Sequence, residues 1–229
     1  MRTVKVKICG ITREEDLQMV CSLGADAVGF VVGASCSPRN LTLERAERLI
    51  GMVPSYVKSV LVMVPKSLDE IVQLYSRLKP DAIQIHGNGV QQFLALRNRF
   101  PNVCLIRAAA IECPGMSDKV VDESKFFDAL LVDTYVAGKH GGTGMAHDWN
   151  LSRHIREAVY PKPLILAGGL NSENVGRAIC TVRPYAVDVS TGVESRPGVK
   201  DPKKVEAFIR EAKSVALEDD YGGVRIYGG

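Results

Sequence analysis

Eight times along the chain a short run of β-branched and aliphatic residues gives way to a segment of helical period, and this alternation restricts the fold more than any other feature. The strand-like runs fall near 3–9, 26–32, 57–64, 81–86, 103–109, 128–133, 163–167 and 185–190. Helical patterns follow each of them, near 12–23, 42–52, 67–79, 89–100, 117–125, 148–158, 171–182 and 201–216. Strands joined through helices run parallel, because a hairpin turn cannot connect parallel neighbours. Eight such units in 229 residues predict an α/β protein built as a single (β/α)8 TIM barrel over residues 1–216, with 217–229 as a tail. A doubly wound sheet of five or six strands is the competing architecture, and it leaves two units unexplained. Cap chemistry supports the boundaries: Thr12 with Glu15, Thr42 with Arg45, Ser67 with Glu70 and Asn171 with Asn174 stand at helix starts.

Composition narrows the function classes. Hydrophobic content of 46% with 24% charged residues is that of a globular protein, and no apolar run approaches the roughly 20 residues that span a bilayer. The chain opens directly on a strand with no apolar leader, so a cytoplasmic location and no membrane partner are expected. A net charge of +3, scattered along the chain, does not build the dense basic face that nucleic acid requires, yet it suits a small anionic ligand. Six cysteines, at 9, 21, 36, 104, 113 and 180, form no CxxC pair, and no metal site is expected.

Active sites of this fold lie where the strands end, on the loops that follow. Strand parity tells which side chains point there. In VKVKICGIT, Val4, Val6 and Ile8 form the apolar outer face, and Lys5, Lys7 and Cys9 point inward. In DAIQIHG the inward residues are Ala82, Gln84 and His86; in DALLVDT they are Leu131 and Asp133; in YAVDVSTG they are Ala186, Asp188 and Ser190. Four strands thus end in polar inward groups: Cys9, His86, Asp133, and Asp188 with Ser190. One such residue is ordinarily a satisfied core group. A ring of them is costly to bury and is characteristic of a reacting centre. Lys7, one layer below Cys9, reads either as a counter-ion to Asp188 or Asp133 or as a catalytic group.

The last two units carry a second signal. LILAGGLNSENV sets Gly168 and Gly169 between a strand and a helix, and VSTGVES sets Ser190, Thr191 and Gly192 just past the eighth strand. Glycines there let backbone amides approach an anion, and the loops after strands seven and eight are the usual phosphate site of the barrel. In the second loop, GASCSPRN offers Arg39, stiffened by Pro38, whose planar fork suits a carboxylate or phosphate. The long glycine-rich sixth loop, VAGKHGGTGMAHDWN, reads as a cover over the barrel mouth.

Taken together, KICGIT at 7–12, GF at 29–30, SPR at 37–39, QIHG at 84–87, LVDT at 131–134, GGTG with DW within 141–149, LAGGLNSENV at 166–175 and DVSTGVE at 188–194 resemble the phosphoribosylanthranilate isomerase family. The matching stretches run in order from the first strand to the eighth. The resemblance implies an enzyme of tryptophan biosynthesis that needs no cofactor. It would carry N-(5-phosphoribosyl)anthranilate to 1-(2-carboxyphenylamino)-1-deoxyribulose 5-phosphate by an acid–base Amadori rearrangement. Carried onto this chain, Asp133 is similar to the family's general acid and Cys9 to its general base. Arg39 falls where the anthranilate carboxylate is held and Asp188 on a substrate contact; Gln84 and His86, inward on the fourth strand, are expected to bind substrate too. Gly168, Gly169, Ser190, Thr191 and Gly192 fall on the phosphate loops, with Thr191 where a second serine is common.

Those roles set electrostatic expectations. Lys7 and the helix beginning near Thr12 are expected to lower the Cys9 pKa toward thiolate, and Asp133 is expected to hold a proton through burial or the proximity of Asp188. Monomer and homodimer both remain open, and the sole partner implied is a small phosphorylated sugar–anthranilate. Two other readings compete: another sugar-phosphate isomerase or epimerase on the same barrel, and a barrel that binds a phosphorylated ligand without converting it. For the tail, disorder and packing against the barrel or a partner are both open.

Overall fold

A computed structural model describes residues 1–87, 90–111, 117–134, 148–218, 221, 226 and 227. Among them the eight expected strands all form: β1 Lys5–Cys9, β2 Ala27–Val32, β3 Lys58–Met63, β4 Ala82–Ile85, β5 Cys104–Ile111, β6 Ala129–Thr134, β7 Leu164–Leu166 and β8 Ala186–Val189. Each is followed by its helix: α1 Glu14–Ser22, α2 Leu43–Gly51, α3 Leu68–Leu78, α4 Val90–Arg99, α5 Ser117–Ser124, α6 Trp149–Val159, α7 Val175–Val182 and α8 Pro202–Ser214. Consecutive strands pair in parallel around the ring, and β1 pairs with both β2 and β8. The sheet therefore closes on itself and has no free edge.

Two apolar shells follow from the strand period. Val4, Val6, Ile8, Phe30, Leu61, Ile83, Leu130, Val132 and Val187 face the helices in the outer shell. Cys9, Ala27, Val31, Val60, Ala82, Ile106, Ala108, Leu131, Ile165, Ala167 and Ala186 line the interior. The abundance of alanine inside leaves room on the axis for larger groups.

Helix caps hold at two of the four expected places. The Thr42 hydroxyl accepts from the Arg45 amide (3.3 Å) and the Ser67 hydroxyl from the Glu70 amide (3.2 Å). Thr12 behaves otherwise. Helix α1 starts two residues later, after an uncapped Arg13, and the Thr12 hydroxyl donates instead to the Gly198 carbonyl (2.5 Å). Asn171 likewise stands outside α7 and closes a turn with Asn174, each side chain accepting from the other's backbone amide (3.1 and 2.9 Å).

The tail is settled at three residues. Beyond α8, Ala216–Leu217 pairs antiparallel with Arg2–Thr3, so the segment leaving the last helix meets the first residues of the chain. Tyr221, Ile226 and Tyr227 then join the interior shell, buried to 4%, 9% and 2% exposure. Tyr221 packs edge-on to Tyr185 with ring centres 5.5 Å apart, and the Ile226 amide donates to the Tyr185 hydroxyl (3.1 Å). Tyr185 immediately precedes β8, so these residues enter from the amino-terminal mouth, and Tyr227 lies deep enough inside that burial, with Asp188 and Cys9 adding to it, raises the pKa of its phenol.

Candidate active site

Strand register brings the first functional group into place. Lys7 of β1 sits opposite Asp188 of β8, and Cys9 sits opposite Gly29 of β2. Because registered residues of parallel strands share a face, Lys7 Nζ reaches Asp188 Oδ1 at 2.9 Å, in a pair whose side chains are 0% and 9% exposed. This is the ion pair that the counter-ion reading of Lys7 expects. Burial works against the Lys7 ammonium, but Asp188 and Cys9 outweigh it and raise its pKa above the ordinary value.

Gly29 has no side chain because there is no space for one. A Cβ there would lie 2.8 Å from the Cys9 sulfur, 3.2 Å from Cys9 Cα and 3.2 Å from Lys7 Nζ. The glycine in mid-strand thus creates the slot that holds the thiol and the ammonium together. Gly29→Ala is expected to displace the Cys9 side chain, costing about 1–3 kcal/mol of stability and lowering turnover more than the stability loss explains. Thermal unfolding beside a turnover assay checks this. The control is Gly51→Ala, where a Cβ meets nothing within 4 Å and no loss is expected.

Cys9 is buried and its pKa behaves contrary to the sequence expectation. Burial pushes the thiol up most strongly; Lys7 and then Lys200 pull it down, and Asp188 adds to the rise, so the net shift is upward. The helix that was to help starts later than the sequence suggests and approaches uncapped. Low dielectric around a neutral thiol outweighs the two cations.

A cleft open to solvent lies at the carboxyl ends of β6, β7 and β8. Asp133 and Asp188 line it together with Gly168, Gly169, Ser190, Thr191 and Gly192. Gly168 (φ +86°) and Gly169 (φ +63°) occupy left-handed backbone, which side-chain-bearing residues enter only at a cost of about 1–2 kcal/mol. Gly192 meets a different constraint. A Cβ on it would sit 2.0 Å from the Leu170 carbonyl, so its lack of a side chain is what lets the seventh and eighth loops lie against each other.

Arg39 reaches the same rim from the second loop. Its Nε and Nη2 donate to Glu194 at 2.7 and 2.5 Å, and Nη2 also donates to the Thr191 hydroxyl at 3.1 Å. Its stem crosses over Gly10, whose absent Cβ would come within 2.4 Å of Arg39 Cδ. That is why a glycine directly follows the thiol-bearing strand. Glu194 is nearly buried; burial works against its carboxylate, yet Arg39 and Lys200 hold its pKa below the ordinary range.

Of the residues singled out in the sequence, Asp133, Asp188 and the five loop residues share the cavity. Cys9 is joined to them through Lys7 and Asp188, and Arg39 through Thr191. Gln84 and His86 form a separate pair on and after β4, with Gln84 Nε2 and His86 Nε2 2.9 Å apart. The sixth-loop cover falls at 135–147, outside the described residues. Sequence reading passed over Gly29, Glu194 and Lys200; the first two lay inside quoted motifs, but only strand register and burial reveal what they touch. Among the described residues no cluster of three or more His, Cys, Asp or Glu is arranged to hold a metal ion.

Comparison with known proteins agrees with this geometry. Residues 6–211 match the family model for N-(5'phosphoribosyl)anthranilate (PRA) isomerase. The N-(5'-phosphoribosyl)anthranilate isomerase of Methanothrix thermoacetophila is 44% identical over 211 residues, 92% of this chain and 98% of its own. The crystal structure of phosphoribosyl anthranilate isomerase from Thermotoga maritima superposes with a TM-score of 0.83 at 36% identity, covering 93% of this chain and all of that one. A phosphoribosyl anthranilate isomerase in complex with reduced 1-(o-carboxyphenylamino)-1-deoxyribulose 5-phosphate superposes with a TM-score of 0.80 at 35% identity, over 93% of this chain and 100% of that one.

Proposed function

The chain belongs to the N-(5'-phosphoribosyl)anthranilate isomerase family, and from that membership and the site geometry we propose how its residues divide the work. It is an isomerase of tryptophan biosynthesis, converting N-(5-phosphoribosyl)anthranilate to 1-(2-carboxyphenylamino)-1-deoxyribulose 5-phosphate. Asp133 acts as the acid: it gives its proton to the furanose ring oxygen, the C1–O bond breaks, and the anthranilate nitrogen lone pair closes a C1=N bond. Cys9 acts as the base: its thiolate takes the C2 proton, and the electrons of that bond form the enolamine. Loss of the O2 proton and protonation at C1 then give the ketone, with no net change in oxidation state.

The cavity carries this reading. It brings two carboxylates together with loop backbone suited to a phosphate, and the Cys9 strand is bound to one of those carboxylates through Lys7. Gly168, Gly169, Ser190, Thr191 and Gly192 hold the substrate phosphate. Arg39 holds the anthranilate carboxylate while Glu194 fixes its orientation, and Asp188, Gln84 and His86 complete the substrate contacts. Residues 1–216 serve as one catalytic barrel domain and 217–229 as a tail, of which Tyr221, Ile226 and Tyr227 pack into the barrel. Every proposed group comes from one chain, so a monomer and a homodimer are both competent, and the working compartment is the cytoplasm.

The test follows the anthranilate fluorescence of phosphoribosylanthranilate on addition of the intact protein. Catalysed decay to the carboxyphenylamino-deoxyribulose product is expected. Binding of the substrate without conversion would leave a phosphate-binding barrel and sink the division of roles.

A further inference from the structure

Lys200 lies in the stretch between the eighth loop and α8, far in sequence from Cys9, and its side chain is fully buried. Its ammonium donates to three acceptors: the Cys9 carbonyl at 2.6 Å, the Ser190 carbonyl at 3.3 Å and the Glu194 carboxylate at 3.0 Å. Its own backbone amide donates to Asp16 of α1 at 3.1 Å. A primary ammonium has three protons, and here each finds an oxygen on a different part of the site.

We propose that Lys200 is a positioning residue for the isomerisation, one that ties the base-bearing end of β1, the phosphate loop and the Glu194 carboxylate holding Arg39 into a single rigid unit. The inference rests on the roles proposed for Cys9, Ser190 and Arg39. Its physical basis is that Cys9, Ser190 and Arg39 must meet three ends of one small substrate at once. They come from the end of β1 and from loops eight and two, which share no other common anchor of this kind among the described residues. Burying a lysine is expensive, and burial does work against its charge, with Arg39 adding to the penalty; Glu194 and Cys9 offset only part of it, and its pKa stays below the ordinary value. A position that served packing alone would be filled more cheaply by methionine.

The experiment compares the intact protein with Lys200→Met and Lys200→Gln. Removing Lys200 does not orphan Glu194, which keeps both Arg39 hydrogen bonds. Two readouts are taken on protein shown by circular dichroism to be folded. In the first, steady-state kinetics are expected to show kcat/KM lower by about 100-fold for Lys200→Met, with kcat reduced and KM raised together, since both the base and the binding loops lose their anchor. Lys200→Gln, which still donates to carbonyls, is expected to recover part of that loss.

The second readout is the rate of Cys9 alkylation by iodoacetamide against pH, followed by mass spectrometry of its peptide, which needs no turnover. The titratable groups facing Cys9 are Lys7, Asp188, Lys200, Arg39 and Tyr227, those facing Lys200 are Glu194, Arg39 and Cys9, and Asp16 holds its backbone amide. Loss of the nearest of these to the Cys9 carbonyl is expected to move the alkylation profile to higher pH. A profile that stays in place while kcat/KM remains within about threefold overturns the proposal. A fall in activity with an unmoved profile and a lowered melting temperature overturns it in favour of a folding role, and so does failure of both variants to fold. Should the intact protein bind substrate without converting it, the division of catalytic roles fails, and the alkylation shift still reports on Lys200.

Discussion

Cys9→Ser is expected to lower kcat at least about 100-fold, with Asp133→Asn falling as far, while both variants unfold close to the temperature of the intact protein. Serine fills nearly the same slot beside Gly29, so packing survives. Its hydroxyl is a far weaker acid than a thiol and supplies almost no anion at neutral pH. Asparagine matches Asp133 in shape but cannot give up a proton as a carboxylic acid does.

The pH dependence carries a sign. The base works as thiolate, and burial has raised the Cys9 pKa against the pull of Lys7 and Lys200. Below that pKa the thiolate fraction falls about tenfold per unit, so log(kcat/KM) is expected to climb with pH as long as Asp133 keeps its proton and to level off where it loses it. In Cys9→Ser that limb disappears. A profile of the intact protein that descends between about pH 7 and pH 9, before the raised Cys9 pKa is passed, would remove Cys9 from the role of base.

How much of this was legible in the sequence depends on whether the determinant is local. Periods of two and of helical pitch are local properties, and they located all eight strand–helix units, including α5 close behind Pro114 and Gly115. Parity then aimed Cys9, Asp133, Asp188 and Ser190 inward, because the outer face of each strand is marked by its aliphatic residues. Thr12 and Glu15 have the spacing of a capping box, yet Thr12 spends its hydroxyl on Gly198, a residue 186 positions away. No local pattern reveals such a competitor. The Cys9 shift failed for a related reason: the sequence names the cations beside the thiol, but the extent of burial emerges only when β2 and β8 close around β1. Lys200 was invisible on the same grounds, since a lysine in a polar loop reads as solvated until its neighbours are known. The glycines differ in kind. Gly168 and Gly169 announce themselves as a pair, whereas Gly29 and Gly192 matter for what would collide with them.

The Lys7–Asp188 pair gives the largest expected effect on stability. Asp188→Asn leaves the Lys7 ammonium enclosed by the barrel without its counter-charge, and Lys7→Met leaves Asp188 nearly buried on the other side. Breaking a buried pair from one side costs about 3–5 kcal/mol, which for a chain of this size corresponds to a melting temperature lower by roughly 10 °C. Replacing both partners at once removes the stranded charge, and Lys7→Met with Asp188→Leu is expected to regain most of the lost stability. Activity is expected to follow a different course. Asp188 stands on the cavity wall and Lys7 shares the Gly29 slot with the base, so the double variant should be stable and still at least about 100-fold slower. A double variant no more stable than either single one would mean that the two groups are not coupled as their 2.9 Å contact requires. One that recovered turnover along with stability would reduce the pair to scaffolding. The expected outcome, stability regained and catalysis not, separates what the pair does for the fold from what it does for the reaction: the barrel tolerates an apolar axis, and the chemistry does not.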